Sequence, residues 1–176
     1  MFLISQNLIH PECYTLSQFR YQLFGTVNYW DKSLQGNTPR SIQLRKKYIL
    51  SLLSRIRIDL NIKGKDFMYV VGEEFGIDCR PHHHFLIGFN SGEDFERVKG
   101  TNGVRNLDYI FTEVADKLHN VYQFPMVKDI QVDVIKNSLG MMGYVCKKEK
   151  YYPFKQFYIS KSLLQFSDDK SDVSIR

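Results

Sequence analysis

Two apolar runs separated by a short turn set the strongest limit on what this chain can fold into. Residues 67–75 (FMYVVGEEF) and 82–89 (HHHFLIGF) are rich in β-branched and aromatic residues, and GIDCRP lies between them. Gly76, Asp78 and Pro81 are turn formers, so the two runs predict an antiparallel hairpin.

The rest of the chain arranges itself around that hairpin. Residues 18–30 (QFRYQLFGTVNYW) predict a first strand. Thr38 and Pro39 then suit the N-cap and first position of a helix. Ile42, Ile49, Leu52, Leu53, Ile56 and Leu60 recur at helical spacing to about residue 61. The other face of this helix carries Arg45, Lys46, Lys47, Arg55 and Arg57. In the plain reading that face is solvated; in a functional one it tracks a nucleic-acid backbone.

After the hairpin come a Gly-rich basic loop around Lys99–Arg105 and a second helix marked by Leu107, Ile110, Phe111, Val114 and Leu118. Residues 126–135 predict a fourth strand through the alternation of Ile130, Val132 and Val134. Asn137 can cap a short third helix (SLGMMGYVCKKEK), and residues 154–159 suit a last strand. The order β-α-β-β-α-β predicts an α+β fold of the split-βαβ kind, ferredoxin-like or RRM-like. Its central antiparallel sheet has helices packed on it. Residues 1–166 are expected to form one domain and residues 167–176 a loose tail. Such a sheet hosts many functions, so the site must decide.

The net charge of +5 favours a polyanionic partner. The cysteines, Cys13, Cys79 and Cys146, show no paired spacing, which argues for a reducing compartment rather than a disulfide framework or structural zinc. Residues 1–10 lack a basic region before an apolar one, and no apolar run approaches the ~20 residues of a membrane span. The expectation is a soluble cytoplasmic protein with no membrane association.

On a strand, alternate side chains share a face, so His82 and His84 point the same way and His83 the other. Closing the hairpin brings Glu74 across from them, giving two imidazoles and one carboxylate with open positions. Such a site suits Mg²⁺ or Mn²⁺ acting on a phosphate. The plainer alternative is a polar strand end that picks up metal adventitiously.

The run Glu74-Phe75-Gly76 followed by Arg80-Pro81-His82-His83-His84-Phe85-Leu86-Ile87 resembles the second motif of the HUH endonucleases, in particular of rolling-circle replication initiators. The resemblance implies metal ligands at Glu74, His82 and His84, with Glu73 as the alternative carboxylate, although alternation points it to the opposite face. The family's middle residue is usually hydrophobic, and here it is His83. Gly143-Tyr144-Val145-Cys146-Lys147-Lys148 resembles the third motif, a helical Tyr-x-x-Lys. It implies Tyr144 as nucleophile with Lys147 or Lys148 beside it, since positions three and four apart on a helix are neighbours. Tyr151 and Tyr152 are rival nucleophiles two turns further on, and Lys at 148 fits the single-tyrosine class. Phe24 to Trp30 loosely resembles the first motif, which fits register or DNA contact rather than catalysis.

The implied function is site-specific nicking and strand transfer on single-stranded DNA at an origin or hairpin. It would start rolling-circle replication of a plasmid or phage through a 5′-phosphotyrosine. Arg45, Lys46, Lys99 and Arg105 are the expected DNA-binding residues. With no G-x-x-x-x-G-K-[ST] loop in the sequence, a separate host helicase is the expected partner. The alternatives are a single-tyrosine transposase of the same chemistry and a non-catalytic RRM-like module that holds single strands by stacking.

Overall fold

The computed structural model describes residues 19–75, 80–100, 104–136, 141, 142, 145 and 157–160. They build an α+β structure in which helices pack against one five-stranded antiparallel sheet. The strands are β1 (Leu23–Tyr29), β2 (Phe67–Phe75), β3 (Pro81–Phe89), β4 (Val127–Val134) and β5 (Phe157–Ile159). Their order across the sheet is β4-β1-β3-β2-β5, with β3 paired to β1 on one side and β2 on the other. The helices among the described residues are α1 (Pro39–Asp59), α2 (Gly92–Lys99) and α3 (Val104–Asn120). None is long and apolar enough to cross a membrane.

Local sequence accounts for most of these boundaries. Thr38 caps α1 by accepting a hydrogen bond from the Ser41 N–H at 3.1 Å, and Pro39 follows at the first helical position. Ile49, Leu52, Leu53 and Ile56 form the buried stripe, and Asn61, at a φ of 52°, turns the chain out of the helix. In β1, buried Leu23, Gly25, Val27 and Tyr29 alternate with half-buried Phe24, Thr26 and Asn28. That alternation divides the sheet into two faces with different jobs. Leu23, Val27 and Tyr29 join Val71, Phe85, Ile87, Ile130 and Val132 in a core beneath α1 and α3. On the other face a smaller cluster gathers Met68, Val70 and Leu86 with Met142 and Val145.

At Gly25 a close approach makes glycine obligatory. A Cβ there would lie 2.1 Å from the tip of the Phe85 ring on the neighbouring strand. Phe85 is fully buried and stacked on Phe111 with ring centroids 5.5 Å apart, so it has nowhere to go. Gly25→Ala is expected to cost about 1–3 kcal/mol of stability, the usual size of an overpacking defect, read as a lower urea midpoint with unchanged slope.

Two readings of the sequence are corrected here. Lys99 and Arg105 do not share a loop: Lys99 ends α2 and Arg105 lies in the first turn of α3, with residues 101–103 outside the described set. Ser91 caps α2 through the Asp94 N–H, and Gly100, at a φ of 57°, terminates it. Among the eight residues of α2 only Val98 is buried and only Phe95 packs beside it against the core, so its apolar stripe is too short to announce the helix. The second correction concerns Arg45, which does not lie on a solvated face. Its side chain is fully buried among the charged and apolar groups described below. Of the expected third helix, Met141, Met142 and Val145 are helical; its other residues, the cysteines and the tail from Ser167 lie outside the described residues.

Candidate metal centre

The β2–β3 register puts Glu74 directly opposite His82 and Gly72 opposite His84. The Glu74 carboxylate reaches both rings. Its Oε2 lies 3.2 Å from Nε2 of His84 and 3.9 Å from Nε2 of His82. One donor atom from each of the three residues falls within 4.8 Å of the others. An ion about 2.1 Å from each donor needs donor–donor edges of roughly 3.0–3.4 Å, which this triangle meets on one edge and approaches on the second. Two imidazole nitrogens and one carboxylate oxygen are a donor set for a first-row divalent cation, with coordination positions left for water or substrate.

Both rings are oriented from behind. Nδ1 of His84 lies 2.9 Å from the Thr26 hydroxyl, which β1 supplies from the directly opposed position. Phe24, two residues earlier on β1, stacks on the same ring at 5.5 Å and an 18° interplanar angle. Nδ1 of His82 faces the Arg80 carbonyl at 3.3 Å. A carbonyl only accepts, so this contact places the His82 proton on Nδ1 and leaves Nε2 as a lone-pair donor. The hydroxyl of Thr26 serves His84 in the same sense when Nδ1 carries its proton. Thr26 is thus an orienting residue that sequence reading left at register or DNA contact.

Glu73 and His83 occupy the opposite face, as alternation requires, and face each other across the same hairpin. Glu73 forms a buried ion pair with the Nε of Arg45. The Nη1 of Arg45 donates to the backbone oxygens of Leu34 at 2.7 Å and Gly36 at 2.8 Å. Glu73 is therefore committed elsewhere and takes no part in the donor triangle. His83, fully buried, has Nδ1 2.7 Å from the Tyr29 hydroxyl and packs edge-on to that ring. Burial, reinforced by neighbouring Tyr48 and Glu73, holds the Tyr29 phenol well above its ordinary pKa, so the group stays protonated and can donate to His83. A histidine where an apolar residue would pack is accommodated because the core supplies it a phenol.

The other expected site residues are not gathered here. Arg45 is excluded from contact with DNA by its burial. Lys46 sits over the Tyr158 ring at 5.1 Å, and lines a groove of about 540 Å³ with Lys47, Arg55, Tyr122 and Phe124. Lys99 is held 3.2 Å from Glu96. Lys46 and Lys99 both belong to helices covering the face opposite His82 and His84. The side chain of Arg105, and Tyr144, Lys147 and Lys148 altogether, lie outside the described residues. No protein-family model matches this chain, and no curated protein matches it.

Proposed function

We propose that this protein is a metal-dependent, single-tyrosine nuclease that nicks and rejoins single-stranded DNA, of the HUH endonuclease type, and that it starts rolling-circle replication of a plasmid or phage. The observation that carries the proposal is the convergence of Glu74, His82 and His84 on one point of a rigid hairpin. In this reading the sheet is a split-βαβ sheet, with β4-β1-β3-β2 as its central four strands. Met142 and Val145, which flank Tyr144 in the chain, are buried in one cluster with Val70 and Leu86. Leu86 follows His84 by two residues and so shares its face, so Met142 and Val145 pack on the side of the sheet that carries the donor triangle.

A bound Mn²⁺ or Mg²⁺ would supply a Lewis acid to a phosphate oxygen. Glu74, His82 and His84 would hold it, with the Arg80 carbonyl keeping His82 in the tautomer that donates from Nε2 and Thr26 orienting His84. The Tyr144 oxygen attacks phosphorus in line as the P–O3′ bond breaks. The tyrosine proton is lost to solvent or base and the departing 3′-oxygen gains one. A 5′-phosphotyrosine and a free 3′-hydroxyl result. Lys147 or Lys148 balances the negative charge. Because one ester replaces another, a later 3′-hydroxyl can reverse the step and seal the strand. A separate host helicase would unwind the template.

The test is to incubate the protein with Mn²⁺ and single-stranded DNA spanning its own origin, beside Tyr144→Phe, on a denaturing gel. A protein–DNA adduct is expected in the wild type alone. An adduct retained in Tyr144→Phe would move the nucleophile elsewhere, with Tyr151 and Tyr152 next in line. Intact binding with no adduct from either protein would leave a non-catalytic single-strand binder.

A further inference from the structure

The face that carries the metal centre is not equally approachable from all sides. Toward the C-terminal end of β3 it is covered by Met142 and Val145 packed against Val70 and Leu86. Across β1, the edge strand β4 presents Asp129, Gln131 and Asp133 opposite Asn28, Thr26 and Phe24. Asp129 accepts from the Asn28 amide at 2.9 Å, and Gln131 and Asp133 are exposed. Carboxylates there repel a phosphate chain. At the start of β3, among the described residues, the chain's single tryptophan, Trp30, stands 53% exposed. The guanidinium of exposed Arg80 lies 5.3 Å from the centre of its ring.

These two residues lie just beyond the end of the sheet nearest the donor triangle. Thr26 opposes His84 and Asn28 opposes His82. Trp30 directly follows β1 and Arg80 directly precedes β3, and the Arg80 carbonyl lies 3.3 Å from Nδ1 of His82. A half-exposed indole backed by a guanidinium offers a flat apolar surface next to a positive charge. Nucleobases stack on such surfaces regardless of their identity, and the adjoining phosphate meets the cation.

We propose that Trp30 and Arg80 form a stacking platform for the nucleotide next to the phosphate held at the metal centre, Trp30 taking the base and Arg80 its backbone. This rests on the single-stranded DNA reading of that centre and adds the direction from which the strand enters: over the β1–β3 end of the sheet, away from the β4 carboxylates. The pair selects single strands over duplex, because a paired base has no face to offer.

A single tryptophan makes the platform directly observable. The full-length protein, in EDTA to prevent cleavage, is titrated with fluorescein-labelled oligothymidylate of about 16 nucleotides, enough to fill one such site. Tryptophan emission and fluorescein anisotropy are followed together. Expected are quenching of Trp30 that tracks the anisotropy, roughly 5- to 100-fold weaker binding for Trp30→Ala, and binding near wild type for Trp30→Phe. Arg80→Ala should also flatten the salt dependence by about one phosphate contact. Oligonucleotide binding with unchanged Trp30 emission and unaltered affinity in Trp30→Ala would overturn the platform while leaving the nuclease reading intact. No binding at all, in a protein that still takes up Mn²⁺, would overturn both.

Discussion

His84→Ala is expected to abolish Mn²⁺-dependent cleavage and, with it, the stabilisation that Mn²⁺ confers on the folded chain. For the wild type at a hundredfold excess of metal over its Kd, that stabilisation is about 2.7 kcal/mol. Differential scanning calorimetry with and without Mn²⁺ should show it, and should show none for the variant. His84 is the ligand with most support: it is the nearest imidazole to Glu74, at 3.2 Å, and is oriented by both Thr26 and Phe24. Thr26→Val keeps the shape of that support and removes the hydroxyl. It should weaken Mn²⁺ binding about 10- to 100-fold without eliminating it, as loss of an orienting partner typically does. A graded pair of this kind separates a built metal site from a polar strand end. Retained Mn²⁺-dependent nicking in His84→Ala or His82→Ala would remove these residues from the ligand set.

How far the site could be read from sequence follows from how local its determinants are. Glu74, His82 and His84 lie on one hairpin, and the period of two on each strand settles which side chains share a face once the strands pair. The observed register, Glu74 opposite His82, is the one that short-range pairing favours. Thr26 is different. Its meeting with His84 spans 58 residues and depends on β1 lying beside β3, which nothing in either segment specifies by itself. The same holds for His83, whose polarity in a core is explained only by Tyr29 on that other strand. The Trp30–Arg80 contact joins the ends of the same two strands, so it too was invisible in the linear chain. Boundaries of β2, α1 and β4 were legible because each combines a strong apolar period with punctuation at its ends. The helix α2 has only Phe95 and Val98 as apolar residues and no proline, and begins at Gly92, so its residues look like loop.

Arg45 shows most clearly what pattern reading leaves out. Along α1 it reads as one of several cations on a polar face, yet it is the largest fully buried side chain in the molecule's described part. It is buried because Glu73 and the carbonyls of Leu34 and Gly36 receive it, and none of these belongs to its own helix. Arg45→Met is therefore expected to destabilise the fold by about 3–5 kcal/mol, since it removes the guanidinium paired with the buried Glu73 carboxylate and orphans two carbonyls. Against a typical total of about 5–15 kcal/mol this approaches unfolding, and urea denaturation would measure it. Adding Glu73→Leu removes the buried charge and should return most of the loss, because apolar replacement of a whole buried pair is close to neutral. The double variant also isolates the functional stake. Glu73 and Glu74 are adjacent on β2 with opposite orientation, so the Arg45 anchor fixes the strand end that presents the metal's carboxylate. If the anchor serves only stability, the double variant binds Mn²⁺ like the wild type. If it also positions Glu74, Mn²⁺ affinity stays reduced after stability has recovered, and Arg45 is a positioning residue for the metal centre acting from beneath the sheet.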